Sequence, residues 1–255
     1  MIADSNSIAD SYRSDQAWRV AVLIPARNEE DLLPLCLHSI LIATAALPAS
    51  VRSEVIVLAD SSVDRTSKIA SEILGSRGRV VNTSVGTVGT ARRLAARYIL
   101  TRNKGPLNRL WLANTDADCI VPPSWIADQL RLPAGRTEAI AGTISVDSFE
   151  EHQPEVADRF RAAYLIATDG THTHVHGANI GVRADAYCRA GGWKDLRTPE
   201  DHDLWRRLIR IGARTVPTAR IEVVTSGRRI GRAPEGFAGA LAPHNKAHNK
   251  TQAVA

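Results

Sequence analysis

The stretch from residue 19 to residue 31 decides the fold class, and it runs Arg-Val-Ala-Val-Leu-Ile-Pro-Ala-Arg-Asn-Glu-Glu-Asp. Residues 19–25 form a short apolar run closed by proline, which is typical of a buried strand. Asn28 and the acids after it predict the start of a helix, where carboxylates are favourable. The next residues keep a helical apolar stripe, formed by Leu32, Leu33, Leu35, Leu37, Ile40 and Leu41. A strand that runs straight into a helix is the repeating unit of an α/β protein.

The same unit recurs along the first half of the chain. Strands are predicted at 54–59, 79–82 and 109–114, and helices follow the first two, up to Leu74 and over 90–100. This alternation predicts a parallel sheet covered on both faces. We therefore predict an α/β protein with a single Rossmann-like domain, in which a central, mostly parallel sheet is flanked by helices.

The second half of the chain has a less regular pattern. Its predicted elements are a strand at 140–146, a helix at 155–166, a strand at 172–176, helices at 185–190 and 200–211, and strands at 214–216 and 220–224. The predicted organisation is a polar N-terminal arm (1–18), a catalytic domain (19–226) and a basic C-terminal tail (227–255).

Composition restricts the class of partner. The chain has 255 residues and a formal net charge of +5, which favours anionic ligands. Aromatic residues make up only 5% of the chain, and no basic stretch is interleaved with them, which argues against nucleic acid as a partner. A protein that handles phosphorylated small molecules fits this balance better.

Cysteine usage and the N-terminus indicate a compartment. The three cysteines, Cys36, Cys119 and Cys188, lie far apart and form no CxxC pair, which argues against disulfides or structural zinc. The first eighteen residues lack the apolar segment of a signal peptide, and the apolar runs are too short for a transmembrane segment. We expect a cytoplasmic protein, and peripheral contact with a membrane stays open.

Two acidic motifs carry the candidate chemistry. Asp116 and Asp118 directly follow a predicted buried strand, and paired carboxylates suit a hard divalent cation such as Mg²⁺ or Mn²⁺ bound to substrate phosphates. Glu200 and Asp201 open an amphipathic helix, where one carboxylate could act as a general base. Ordinary turn and helix-start preferences also explain such acids one at a time. Their expected convergence at one sheet edge favours a site.

Three histidines, His172, His174 and His176, alternate along a predicted strand and would share one face. A metal site, plain exposure and hydrogen bonding to an acceptor are all open for them. His176 is the one expected nearest the site, because it precedes Gly177. The chain has no GxSxG, P-loop or GxGxxG motif, so serine hydrolases, P-loop kinases and dinucleotide-dependent oxidoreductases lose support.

In their order, these segments resemble family-two glycosyltransferases with the GT-A fold, over about residues 20–225. The resemblance rests on an opening strand and loop (22–30), a second loop similar to Asp-Asp-Gly-Ser-Thr-Asp-x-Thr (59–66), the DxD motif (116–118), a Gly-Ala-Asn-Ile-Gly-Val-Arg segment (177–183) and an ED pair (200–201). The second loop departs from the pattern, with Ala59 and Ser61 in place of aspartate and glycine.

The resemblance implies a hexosyltransferase-like enzyme that transfers sugar from a UDP- or GDP-sugar donor to a hydroxyl acceptor. Asp118, helped by Asp116, would hold Mg²⁺ or Mn²⁺, and Asp201 beside Glu200 would be the base of an inverting displacement. The implied substrate-binding residues are Pro25, Arg27, Glu29, Asp60, Arg92, His176, Gly177 and Asn179.

Other interpretations of the resemblance stay open. They are a retaining transferase, a nucleotidyltransferase on a similar sheet, and a non-catalytic protein that binds nucleotide sugars. The absence of membrane helices and of a QxxRW motif favours a single transfer rather than processive synthesis. Residues 225–232 are either a basic lid over the diphosphate or an ordinary surface tail.

Overall fold

The computed structural model describes residues 18–132, 136–196, 199–232 and 236–246. Within these ranges eight strands form one sheet. The strands are β1 (Arg19–Ala26), β2 (Arg52–Asp60), β3 (Gly78–Thr83), β4 (Leu110–Asn114), β5 (Cys119–Ile120), β6 (Ala139–Val146), β7 (Ile180–Arg183) and β8 (Thr215–Thr225). The helices are α1 (Leu33–Ala45), α2 (Thr66–Leu74), α3 (Val88–Arg102), α4 (Trp125–Arg131), α5 (Val156–Ala163), α6 (Ala184–Arg189), α7 (Glu200–Arg210) and α8 (Phe237–Lys246).

The sheet order is β3-β2-β1-β4-β7-β6-β8-β5. The first four strands are parallel, as the alternating pattern predicts. Beyond β4 the sheet is mixed, because β7 runs antiparallel to both β4 and β6, and β5 runs antiparallel to β8. The predicted α/β class with a central helix-flanked sheet is confirmed, and its second half contributes antiparallel pairs.

The core lies on both faces of the sheet, and β1 shows why its sequence is continuously apolar. Side chains alternate along a strand. Val20, Val22 and Ile24 therefore pack on the α1 face, whereas Ala21 and Leu23 pack on the opposite face with α3 and α7. A strand covered on both sides has no polar face to show in its sequence.

Four expectations need correction. Residues 172–176 form no strand, and the two strands predicted at 214–216 and 220–224 are one strand, β8, paired with β6 across a register shift at Gly142/Thr143. Helix α4 was not foreseen from the sequence. Trp18, placed in the polar arm, is buried and meets Trp111 edge-on, with ring centroids 6.4 Å apart. The rest of that predicted arm, residues 1–17, lies outside the described residues.

The predicted C-terminal tail is structured where it is described. Residues 237–246 form α8, which packs on α5 with the Phe160 and Phe237 ring centroids 5.8 Å apart. Arg159 also donates a hydrogen bond to the His244 carbonyl at 2.7 Å. In the described part of the chain, none of the helices combines the length and the apolar character needed to span a membrane.

Candidate active site

The loops after β1 and β2 form one continuous surface at the carboxyl edge of the sheet. The Asn28 side-chain oxygen accepts a hydrogen bond from the Val63 N–H at 2.9 Å, and the Thr66 hydroxyl accepts one from the Glu29 N–H at 2.8 Å. Asn28 adopts a φ of 51°, a left-handed conformation that asparagine tolerates better than most residues. The two segments predicted to hold the nucleotide are therefore fixed to each other.

Three predicted nucleotide-binding residues lie at this edge. Pro25 is half-buried near the end of β1, and Arg27 is exposed. Asp60 is buried, and its two carboxylate oxygens accept hydrogen bonds from the N–H groups of Val85, at 2.7 Å, and Gly86, at 2.9 Å. Asp60 therefore fixes the loop after β3, and its contact with a nucleotide stays a prediction.

The acidic turn after β4 brings together the predicted metal ligands. Carboxylate oxygens of Asp116 and Asp118 and the Cys119 sulfur all lie within 4.8 Å of one another, the one such group of three candidate ligands among the described residues. Burial and the neighbouring Asp116 carboxylate raise the pKa of Asp118 to about 7, against the opposing effect of Arg228. Burial also raises the pKa of the Cys119 thiol. The two carboxylates offer oxygen donors. Oxygen donors suit Mg²⁺ or Mn²⁺.

Arg92, on α3, joins the acidic turn to the start of α7. Its side chain is only 2% exposed, and its guanidinium pairs with Glu200 at 2.5 Å and with Asp116. The same guanidinium lies 5.1 Å from the centroid of the Trp193 ring. Burial raises the pKa of Glu200, and the charge of Arg92 opposes that rise. Arg92 was predicted to contact phosphate; its guanidinium here pairs with two carboxylates, and a contact with phosphate stays a prediction.

Gly177 lies between Arg92 and the predicted base. Its N–H donates to Oδ2 of Asp201 at 2.9 Å, and Asp201 itself is half-buried in the first turn of α7. A Cβ on residue 177 would lie 2.2–2.4 Å from three atoms of the Arg92 guanidinium. Only glycine lets this backbone approach Arg92 so closely.

Asn179 was predicted to bind substrate, and the structure instead places its side chain in the core. Its amide nitrogen donates to the carbonyls of Thr143, at 2.8 Å, and Ile221, at 2.9 Å, and its oxygen accepts from the Trp125 indole at 3.0 Å. The residue is fully buried. These bonds tie β6, β8 and α4 together and explain why an asparagine is needed there.

The three histidines lie in one row, although no strand carries them. The His174 ring stacks on Tyr164 at 3.9 Å between centroids, and the His172–His174 and His174–His176 centroids are 5.8 Å and 6.1 Å apart. The Nε2 of His176 is 3.0 Å from the Tyr164 hydroxyl, and burial lowers the pKa of His176 to about 3. Within the described residues the imidazoles do not converge on a three-ligand metal site.

Arg228 is the site residue that the sequence analysis did not identify. It follows β8, and its guanidinium makes two hydrogen bonds to the Glu29 carboxylate, at 2.8 Å and 2.6 Å. It also lies 2.8 Å from Oδ2 of Asp118. The only sequence signal was the basic run at 228–232, which left a lid and an ordinary tail equally open.

The side chains around the acidic turn and the start of α7, which we call the cleft, carry more negative than positive groups. Five carboxylates meet two guanidiniums there, those of Arg92 and Arg228. An electronegative cleft accepts an anionic diphosphate only together with a cation. The carboxylate oxygens are donors that suit a divalent metal ion, and a cation, the Arg228 guanidinium, already lies between Glu29 and Asp118. The five acids are Glu29, Asp116, Asp118, Glu200 and Asp201.

This combination defines a class of protein. The GT-A glycosyltransferases share three of its features. These are two joined loops at the carboxyl edge of a parallel half-sheet, a DxD turn after β4, and an acidic helix start near that turn. The chain belongs to glycosyl transferase family 2, whose family model matches residues 21–189. No curated protein matches the chain.

Solved structures share the fold at low sequence identity. S. aureus TarS (1–349), in complex with UDP-GlcNAc, is 18% identical with a TM-score of 0.60, over 84% of this chain and 60% of that one. The mannosyltransferase PcManGT from Pyrobaculum calidifontis, in complex with GDP-Man and Mn²⁺, is 18% identical with a TM-score of 0.62, over 92% and 74%. GalNAc-T7 with UDP, GalNAc and Mn²⁺ is 16% identical with a TM-score of 0.58, over 84% and 45%. The chain thus spans about 60% of the TarS chain.

Proposed function

We propose that the chain transfers a sugar from a UDP- or GDP-sugar to a hydroxyl acceptor, with help from Mg²⁺ or Mn²⁺ and with inversion at the anomeric carbon. One observation carries this proposal: Arg92 holds Asp116 of the acidic turn and Glu200 beside Asp201 in a single cleft. Sugar transfer with inversion needs the diphosphate leaving group on one side of the anomeric carbon and, on the other side, a base that deprotonates the acceptor. The complexes of the structural neighbours with UDP-GlcNAc and with GDP-Man and Mn²⁺ support the same class of donor.

Asp118, helped by Asp116, would hold the metal ion. Bound there, the ion would neutralise the charge that develops on the leaving diphosphate. Pro25, Arg27, Glu29 and Asp60 would contact the base and ribose, since they lie at or just after the carboxyl ends of β1 and β2.

Asp201 would act as the general base. Its half-buried carboxylate takes the proton of the acceptor hydroxyl, and the acceptor oxygen forms its bond to the anomeric carbon. The bond from that carbon to the diphosphate oxygen breaks, and the nucleoside diphosphate leaves with the electron pair. Attack from the face opposite the leaving group inverts the configuration. The Gly177 N–H orients Asp201, and Glu200 is anchored by Arg92.

His176 and Gly177 would border the acceptor side of the cleft. The hydrogen bond between the Gly177 N–H and Asp201 places this segment beside the base. A cytoplasmic location, where nucleotide sugars are available to such an enzyme, is part of the same proposal.

Calorimetric titration of UDP, GDP and dTDP, with and without Mn²⁺, tests the donor site. We expect one nucleotide to bind the wild type tightly and only with Mn²⁺, and we expect Asp118→Asn to lose that binding. The matched control is Asp128→Asn, which removes the same charge from an exposed pair with Arg131. Binding that needs neither the metal nor Asp118 would overturn the metal-assisted donor site.

Asp201→Asn tests the base and separates a transferase from a binding protein. We expect turnover to fall by about 10²–10⁴-fold, while nucleotide affinity stays within about twofold. NMR of the product decides between inversion and retention. Absence of turnover in the wild type with every acceptor, together with intact nucleotide binding, would favour the non-catalytic alternative.

A further inference from the structure

Arg228 is held in a position that the fold builds specifically. The Gly227 N–H donates to the Asp147 carboxylate at 2.8 Å, and the Gly227 carbonyl lies 2.6 Å from Nε2 of His152. A Cβ on residue 227 would lie 1.8 Å from the Ser148 carbonyl oxygen, so only glycine fits. Both peptide groups of Gly227 are therefore held by hydrogen bonds just before Arg228.

The tail helix supports the same arrangement. The Asn245 side-chain nitrogen lies 2.9 Å from Nδ1 of His152, on the other side of the imidazole that contacts Gly227. Helix α8 thus braces the turn from which Arg228 reaches the cleft. The contact between Arg228 and the acids is a built feature of the domain rather than a passing approach of a surface side chain.

The guanidinium of Arg228 lies where a cation would bind the acidic turn. It lies 2.8 Å from Oδ2 of Asp118 and pairs with both oxygens of Glu29. Its side chain is 18% exposed, compared with 15% for Asp118 and 5% for Glu29, so water screens this pair weakly. A metal ion on Asp118 would lie within a few ångströms of this guanidinium, and two cations at that distance repel each other.

The diphosphate of a donor would offer Arg228 a replacement partner. A guanidinium fork matches phosphate oxygens as well as it matches a carboxylate. Gly227 is held by its own hydrogen bonds, so we expect the Arg228 side chain to leave Asp118 by changing its rotamer while the backbone stays in place. The exchange would release a metal ligand at the moment when the anion to be neutralised is present.

We propose, on the basis of the proposed function, that Arg228 is an internal counter-ion that blocks the metal site of the donor-free enzyme and yields Asp118 to the metal when a diphosphate binds. Metal and nucleotide then bind as a pair, each weakly without the other. Free metal in the cell does not occupy the site ahead of the donor.

Electron paramagnetic resonance of Mn²⁺ tests the proposal without any turnover. Mn²⁺ is titrated into the wild type, Arg228→Gln and Arg229→Gln, first alone and then with saturating UDP or GDP. Arg229→Gln is the matched control, because Arg229 is the adjacent residue, has the same charge and is exposed. We expect Arg228→Gln to bind Mn²⁺ alone about tenfold more tightly than the other two proteins, and the nucleotide to strengthen Mn²⁺ binding far less in this variant.

A second variant guards against misfolding. Arg228→Gln leaves Glu29 buried without its partner, so Glu29→Gln with Arg228→Gln removes that orphaned charge, and circular dichroism reports the fold of each protein. Equal or weaker binding of Mn²⁺ alone in both variants, while the wild type binds Mn²⁺ with nucleotide, would overturn the blocking role and leave the proposed function intact. Failure of every protein to bind Mn²⁺, with or without nucleotide, would overturn both.

Discussion

Arg92 and Arg228 each bridge two acids of the cleft, but the surroundings of the two bridges differ. Arg92 projects from a helix, is 2% exposed and lies over the Trp193 ring. Arg228 projects from a turn, is 18% exposed and joins acids from the first loop and the DxD turn. A guanidinium enclosed by aromatic and helical packing serves as a fixed part of the scaffold. One on a turn at the rim can exchange partners.

Substitution of Arg92 gives the largest expected effect. Arg92→Met keeps much of the side-chain volume but leaves Glu200 and Asp116 without their cation. We expect the free energy of unfolding to fall by about 3–5 kcal/mol, since breaking a buried pair strands a charge. Urea denaturation measures this. Arg131→Met, in an exposed pair with Asp128, is the control and should cost about 1 kcal/mol or less. Equal losses would mean that Arg92 is not a scaffold element.

Gly177→Ala tests how closely the scaffold is packed around Arg92. The added Cβ would meet the guanidinium at 2.2–2.4 Å, so either the backbone or Arg92 must move. We expect a loss of about 1–3 kcal/mol in stability. Turnover should fall more than nucleotide affinity, because Gly177 also orients Asp201. Gly105→Ala has its nearest neighbour at 3.8 Å and serves as the control in both measurements. A crystal structure of Gly177→Ala in which neither Arg92 nor the backbone at residue 177 has moved would contradict the packing argument.

The response of Arg228→Gln to metal tests the difference between the Arg228 and Arg92 bridges. We expect stability without metal to fall by about 1–2 kcal/mol, because Glu29 loses two charge-assisted hydrogen bonds. Mn²⁺ should restore part of that loss in Arg228→Gln by supplying a cation to the same acids, and it should not do so in Arg92→Met. Thermal melting with and without Mn²⁺ measures both. Recovery of both variants to the same degree would erase the distinction between the two bridges.

Acid sensitivity on the Arg92 side of the cleft is the smallest of these effects. His176 has a folded pKa of about 3, lowered by burial and by the neighbouring His174, His202 and His172. Its neutral form therefore stabilises the fold above the unfolded pKa of about 6.5, and that contribution is lost as pH falls toward 3.

We expect stability to drop by about 1 kcal/mol between pH 7 and pH 5.5 from this residue. His174, whose pKa is also lowered by burial, acts in the same direction. His176→Gln should flatten the pH dependence. Urea titrations at the two pH values test this, and an unchanged slope in His176→Gln would contradict it.

The sequence predicts the parallel half of the fold well because each element there is specified locally. The apolar run of β1 and the helix start after it need no distant partner to be recognised. In β8 the local signal misleads, because Pro217 indicates a break. The strand tolerates this proline where it pairs with β6 alone, since β5 reaches only Val224 and Thr225 and leaves that edge open.

The site residues also differ in whether a local sequence pattern predicts them. Asp116, Asp118, Glu200 and Asp201 follow from short motifs, and the structure brings them together. The two arginine bridges join residues 108 and 199 positions apart, and no local pattern encodes such pairs. Asn179 shows the opposite error, because a short motif suggested a ligand where the core needed an amide.

The uneven placement of charge has a consequence for the speed of donor capture. The whole chain carries +5, while its cleft carries an excess of carboxylates. From a distance, the net positive charge of the chain would attract a nucleoside diphosphate and raise its rate of encounter. At physiological ionic strength that attraction is screened beyond roughly 8 Å, so association should slow as salt rises. Over the last few ångströms the carboxylates of the cleft would dominate, and salt screens them poorly. A diphosphate bound to Mn²⁺ would enter there, whereas a diphosphate without a cation would be repelled.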